Sequence, residues 1–388
     1  MQRSAGLDLM RAAAISLVLL DHFLGFLHAQ SPWAWLVHGW SWIGVDIFFA
    51  LSGFLIGRIL LKLDFHATAA RTLSGFWIRR WLRTLPVYYV MLLVRLLVVM
   101  GCLHLGWKAF RILPPYLAFL QCWAGPIRPF FGKYWFFGET WSLAVEEWFY
   151  LFFPLLLVGL VSSGIKPIKA FILASVTMLV LPTLLRLFVA PASPANWITE
   201  VYMVTIYRFD SIAFGLLAAV LSVACVSSWV RSRGVALALG LALLWLDHQQ
   251  QMLDMTMNQY WRVWHFTVTG LGSALLLPWC SSVQKLSWPA LQNLVGVMAR
   301  WSYSLYLVHF MFITLATSLL VPHIKASATS DWGILIMTLG LSFIFAGLSH
   351  RWVEIPGMNL RERWKLARET RANPVYSPPA DAPQMPTK

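Results

Sequence analysis

Arg11 and His22 are separated by ten residues inside the otherwise apolar stretch LDLMRAAAISLVLLDHFLGFLH, Leu7 to His28. At 3.6 residues per helical turn an interval of eleven is about three turns, so both side chains share one face roughly 16 Å apart. An imidazole can take a proton near neutral pH or carry an acyl group. A guanidinium fork matches phosphate and carboxylate geometry. Ionisable groups at membrane depth are costly and therefore functional candidates, and here Asp8 and Asp21 accompany them. The structural duties open to the same residues are snorkelling to headgroups for Arg11 and an interhelical hydrogen bond for His22.

Further along lie other groups of the same kind. FWIRRWLRTLP carries Arg79 and the pair Arg80 and Arg83, whose spacing of three puts both on one helix face. Such a face suits a phosphate, and basic residues at an inner membrane edge satisfy topology equally well. WSLAVEEWFYLFFP places Glu146 and Glu147 side by side, about 100° apart, so at most one faces a cavity squarely. A desolvated carboxylate there could handle protons, orient an imidazole, or pair with an intramembrane arginine such as Arg208. Asp46 lies in WIGVDIFFALSGFLIGR, Arg208 and Asp210 in YRFDSIAFG, and Ser302, Tyr306 and His309 on or near one face in RWSYSLYLVHF. Each alone is more often a packing device. At least four helices nevertheless offer polar groups to a shared interior, as a substrate-filled cavity requires.

The elements that must position these residues are membrane helices. Of 388 residues 59% are hydrophobic and only 12% charged, and a mean hydropathy of +0.66 fits a polytopic integral membrane protein rather than a soluble globule. At about 20 residues per crossing the pattern predicts an all-α fold of ten spans: 8–28, 41–61, 84–101, 141–161, 169–189, 203–225, 234–248, 264–281, 301–321 and 332–350. The net charge of +14 is then read against topology rather than as a nucleic-acid surface. With the N-terminus inside, most basic residues fall on the inner side, against Lys108, Arg111, Arg128, Lys133, Arg262 and Lys325 outside, so both termini are expected in the cytoplasm. The seventh span is short and runs into HQQQ. The aromatic segment from Pro114 to Thr140 is too short to cross and reads as an outer interfacial or re-entrant element, with Trp123, Tyr134, Trp135 and Trp141 near headgroup depth. Arg11, Asp21 and His22 interrupt the first run too much for a cleaved signal peptide. Cys102, Cys122, Cys225 and Cys280 show no metal or redox spacing. The organisation expected is a membrane domain over 1–356 and a basic, then Pro-rich, cytoplasmic tail over 357–388, disordered from Pro374 onward.

Taken in order, Arg11 with His22, GVDIFFALSGFLIGR, RRWLRTLPVYY, WSLAVEEWFYLFFP, YRFDSIAFG, WSYSLYLVH and the closing VEIP resemble the bacterial membrane acyltransferase-3 family from Asp8 to Pro356. That resemblance implies a multi-pass protein of the bacterial inner membrane that moves an acyl group, usually acetyl, from cytoplasmic acyl-coenzyme A to a hydroxyl of a carbohydrate or glycoconjugate. It implies His22 as the essential histidine, as base or acyl carrier, with Arg11 as its partner; Glu146 and Glu147, from their own chemistry, are the further catalytic candidates. Arg80 and Arg83, with Arg79 and Arg58, become donor-binding candidates, and acetyl-CoA is a substrate rather than a resident cofactor. Asp46, Trp141, Tyr150, Arg208, Asp210, Tyr306 and His309 are candidates for the cavity or acceptor side. The partners expected are the lipid bilayer, the carbohydrate acceptor and polysaccharide-assembly machinery, with no nucleic acid. Some family members carry a fused extracytoplasmic domain, and the expectation here is that the membrane part completes transfer itself or uses a separate partner. Ten helices with midplane charges would also suit a transporter or flippase, which inverted repeats would favour; none is evident. Whether Asp21 or a glutamate orients His22 stays open.

Overall fold

The computed structural model describes residues 4–26, 40–63, 69–102, 110, 113–123, 136–188, 197–253, 259–323 and 328–372, and among these the regular structure is entirely helical. The helices are α1 (Ala5–Phe26), α2 (Trp40–Leu60), α3 (Ala69–Cys102), α4 (Leu113–Leu117), α5 (Trp141–Ser162), α6 (Pro167–Phe188) and α7 (Phe209–Ala224). They continue with α8 (Val226–Arg231), α9 (Arg233–Leu253), α10 (His265–Leu275), α11 (Leu277–Ser282), α12 (Pro289–Leu315), α13 (Ala328–Ser349) and α14 (Ile355–Ala372). Seven stretches among the described residues are long and apolar enough to cross a membrane, in α2, α3, α5, α6, α7, α12 and α13 continuing into α14. The expected crossings at 8–28, 234–248 and 264–281 are helical over their described residues, 27 and 28 lying outside these, but do not join these seven. Asp8, Arg11 and Asp21 interrupt α1, polar residues end α9, and the chain breaks at Leu276 between α10 and α11.

Lipid is as apolar as a leucine side chain, so helices in a bilayer associate through close packing and satisfied polar groups. The crossing of α2 and α7 is built that way. A Cβ added to Gly53 would lie 2.0 Å from the Ile212 carbonyl oxygen, and one on Gly215 would lie 2.0 Å from that of Ala50. Only glycines let these backbones touch. The crossing is clamped by a fully buried ion pair, Arg208 Nη2 to Asp46 Oδ1 at 2.6 Å, and a second, Arg186 Nη2 to Asp210 Oδ2 at 2.5 Å, ties α7 to α6. Removing one partner of such a pair strands a charge in a dry interior, at a cost of about 3–5 kcal/mol.

Two prolines shape α3 and α5. Pro86 cannot donate to the carbonyl of Leu82, four residues before it, and the freed oxygen faces α14, where a Cβ on Gly357 would approach it to 2.7 Å. Pro154 likewise leaves the Tyr150 carbonyl without its helical donor, and the Trp77 indole of α3 donates to it at 2.8 Å. The first basic residues past 356 are thus helical and packed on α3, while the tail from 373 onward lies outside the described residues.

The segment before α5 is anchored by aromatics. Tyr88 Oη donates to the Tyr116 carbonyl at 2.8 Å, Tyr116 donates to the Phe136 carbonyl, and Trp123 packs on Trp148. Burial among these rings pushes the Cys122 thiol up to about 12. Tyr134 and Trp135 lie outside the described residues. Helix α9 runs into the HQQQ stretch, and two polar residues there are engaged: Asp247 accepts from Tyr260 at 2.5 Å and pairs with His265 at 2.8 Å, and His248 packs on Trp40.

Candidate active site

One face of α3 carries Trp77, Arg80, Trp81 and Thr84 at spacings of three and four, so all four look toward the same neighbour, which is α5. Arg80 Nη2 donates to Glu146 Oε2 at 3.1 Å and to the Tyr150 hydroxyl, over whose ring the guanidinium also lies at 3.7 Å. The Tyr150 hydroxyl also contacts Ser52 of α2. Glu147 takes hydrogen bonds from Trp81 Nε1 at 3.2 Å and Thr84 Oγ1 at 3.3 Å. The adjacent glutamates therefore straddle α3, and Glu146 alone faces the cavity between the helices.

That cavity has a volume of about 130 Å³ and is walled by α1, α2, α3, α5 and α12. Its arginines are Arg11, Arg80 and Arg83. Arg83 is exposed, Arg80 and Glu146 are 18% and 15% exposed, and Ser142, Tyr306 and Phe49 are buried. The cavity therefore opens at its arginine end and closes on Tyr306. Three cations at a mouth, with Asp8 bonded to Arg11 at 3.1 Å, form an anion-attracting rim leading into an apolar passage walled by Phe48, Phe49, Leu51 and Leu55.

Tyr306 forms the floor. Its hydroxyl donates to the Glu139 carbonyl at 2.6 Å and accepts from Ser142 at 2.7 Å. One turn further along α12 His309 follows, with ring centroids 5.9 Å apart, and against His309 lies His22 of α1. His22 Nδ1 and His309 Nε2 are 2.9 Å apart, and the histidines sit one ring beyond the cavity floor.

Several sequence candidates come together here. Arg11, Arg80, Arg83, Glu146 and Tyr306 line the cavity, Tyr150 supports its wall through Arg80 and Ser52, and His22 and His309 stand behind Tyr306. Arg58 and Arg79 do not line it. Asp46, Arg208 and Asp210 are consumed in the buried ion pairs, and Trp141 packs on Phe49, Tyr202 and Arg208, behind the wall. Of the duties open to the glutamates, pairing with an arginine is met by Arg80 on Glu146, while Arg208, one arginine considered for it, is paired with Asp46. Neither glutamate is bonded to His22.

Sequence reasoning passed over Glu139. It is 5% exposed, among the described residues neither carboxylate oxygen has a hydrogen-bond partner, and its carbonyl holds Tyr306. The Asp247 and His265 pair, separated by 18 residues, was equally hidden, and His265 Nε2 is buried with no partner among the described residues. Only an isolated polar letter at a helix end marks either residue in the sequence.

The family described as "Acyltransferase domain" matches residues 4–348. A protein of Staphylococcus aureus strain MSSA476, named "Putative O-acetyltransferase", is 29% identical over 380 residues, covering 92% of this chain and 57% of its own. The peptidoglycan O-acetyltransferase OatA of Listeria monocytogenes is also 29% identical, over 385 residues, covering 90% of this chain and 55% of its own. The O-acetyltransferase OatA of S. aureus strain NCTC 8325 is 32% identical over 160 residues, 40% of this chain and 25% of its own. The chain thus spans little more than half the length of the first relatives it matches. No solved structure matches it.

Proposed function

The chain belongs to this acyltransferase family, and from that premise we propose that it is a membrane O-acyltransferase moving an acetyl group from acetyl-CoA to a hydroxyl of a carbohydrate or glycoconjugate. The observation that carries the reading is the cavity shared by α1, α2, α3, α5 and α12, with three arginines at its mouth and two histidines behind its floor. Guanidinium groups at an entrance suit the phosphates of coenzyme A, and a positioned imidazole can take the proton of an attacking hydroxyl. The name of one relative, a peptidoglycan O-acetyltransferase, supports a glycan as the acceptor class.

In this reading coenzyme A docks its phosphates on Arg80, Arg83 and Arg11, with Glu146 and Tyr150 holding Arg80 in place. The thioester reaches toward Tyr306, and the acceptor hydroxyl arrives from the side of His22. Mouth and histidines occupy opposite ends of the site, which suits a donor in the cytoplasm, an acceptor on the outer face and residence in the bacterial inner membrane. His22→Ala is expected to abolish transfer of radiolabelled acetyl groups from acetyl-CoA to cell-envelope glycans in membranes carrying normal amounts of the protein. Label incorporation equal to the parent would overturn the assignment.

A further inference from the structure

The two histidines fix each other's protons. His309 is fully buried, and its Nδ1 lies 3.0 Å from the carbonyl oxygen of Leu305, one turn earlier in α12. A carbonyl can only accept, so His309 Nδ1 carries a proton. In the neutral ring Nε2 then holds a lone pair, and the group 2.9 Å from that lone pair, His22 Nδ1, must be the donor. The geometry agrees. The rings are inclined by only 10° with centroids 5.2 Å apart, which is the N···N distance plus about one ring radius at each end. They meet edge to edge, nearly coplanar, and the N–H···N line is close to straight, as a strong hydrogen bond requires.

We infer that His309 is a positioning residue that holds His22 in the tautomer with Nδ1 protonated, leaving the Nε2 lone pair of His22 as the reactive one. This rests on the reading of His22 as the base of acyl transfer and settles what orients it. Asp21, next to His22 in the chain, points about 100° away around the helix. Glu146 is engaged by Arg80, and Glu147 by Trp81 and Thr84. The chain of bonds runs from the Leu305 carbonyl through His309 to His22, so α12 decides which nitrogen of α1 reacts.

The proton accounting follows. As the acceptor oxygen bonds to the thioester carbon, its proton passes to His22 Nε2. The C–S bond breaks, and the coenzyme A thiolate takes that proton back. The group bonded to Nδ1 is itself neutral and orients the ring, while Nε2 takes up the proton and releases it in the second half of the reaction.

The test uses the full chain, labelled with [15N]histidine in detergent, alongside His309→Leu, His309→Gln and His22→Ala. The parent spectrum is expected to show His22 as a neutral ring protonated on Nδ1, with the signal assigned by its loss in His22→Ala. In membranes, His309→Leu is expected to lower kcat for acetyl transfer from acetyl-CoA roughly 100-fold while leaving KM for acetyl-CoA within about twofold. His309→Gln, whose amide oxygen can accept from Nδ1, should recover to within roughly tenfold of the parent. A parent spectrum with His22 protonated on Nε2 overturns the inference, as does equal activity of His309→Leu and parent, or an equal loss in the Leu and Gln variants. Activity persisting in His22→Ala would instead sink the underlying assignment. The parent spectrum does not depend on the His309 variants, so a Leu variant that fails to fold leaves the inference open to refutation.

Discussion

Arg80 is held on three sides: by the Glu146 carboxylate, by the Tyr150 hydroxyl, and by the Tyr150 ring beneath its guanidinium plane. Lysine can reproduce the charge but neither the fork nor the stacking. Arg80→Lys is therefore expected to weaken acetyl-CoA binding about tenfold or more, on the scale of one lost charge-assisted hydrogen bond, while Arg58→Ala, outside the cavity, leaves affinity unchanged. Titration of detergent-solubilised protein with acetyl-CoA checks both, and equal affinity in Arg80→Lys and parent would return Arg80 to a purely topological duty. At this scale the sequence was informative about kind and facing but not about partners. The spacing of Arg80 and Arg83 and the adjacency of Glu146 and Glu147 were enough to place one arginine face and one cavity-facing carboxylate. That Arg208 would choose Asp46, 162 residues away, over a glutamate could not be read, because helical period gives the direction of a side chain and says nothing of what stands opposite.

Among the elements, α2 and α7 form the frame on which the cavity wall hangs. Val45, Phe49 and Ser52 line the cavity from one side of α2, while Gly53 presses on α7 and Asp46 locks to Arg208. A side chain at Gly215 would meet the Ala50 carbonyl and force the helices apart. Gly215→Val is thus expected to cost at least 1–3 kcal/mol and to lower the thermal unfolding midpoint in detergent, whereas Gly159→Val, where a Cβ meets nothing within 4 Å, leaves it nearly unchanged. Equal midpoints would mean that the crossing is not tight. Small residues permit close helix approach, so the Ser52-Gly53 step of α2 is readable from the sequence as such a site. The proline effects are not, because the partner of a freed carbonyl is fixed by tertiary packing: Trp77 for Tyr150 and Gly357 for Leu82. The break at Leu276, which turns one expected crossing into α10 and α11, does have a mark in the sequence: Pro278 stands in the first turn of α11, where a proline starts a helix rather than continuing one.

Seen as a whole, the molecule is a helical shell around one polar interior with unequal ends. The cavity is open where its arginines stand and shut at Tyr306, and the arrangement has a kinetic consequence. A carrier that keeps its CoA moiety on one side must release the spent thiol through the doorway by which the thioester entered, and the phosphates that held the substrate hold the product equally well. Free coenzyme A should therefore inhibit competitively against acetyl-CoA, and only from the face where Arg11, Arg80 and Arg83 lie. In sealed vesicles of the two orientations, coenzyme A is expected to slow transfer in the one exposing that face and to leave the other untouched; inhibition from both faces would mean that the floor at Tyr306 is not a barrier. The rate of glycan modification would then follow the ratio of acetylated to free coenzyme A on the donor side, making the membrane enzyme a reporter of acyl supply.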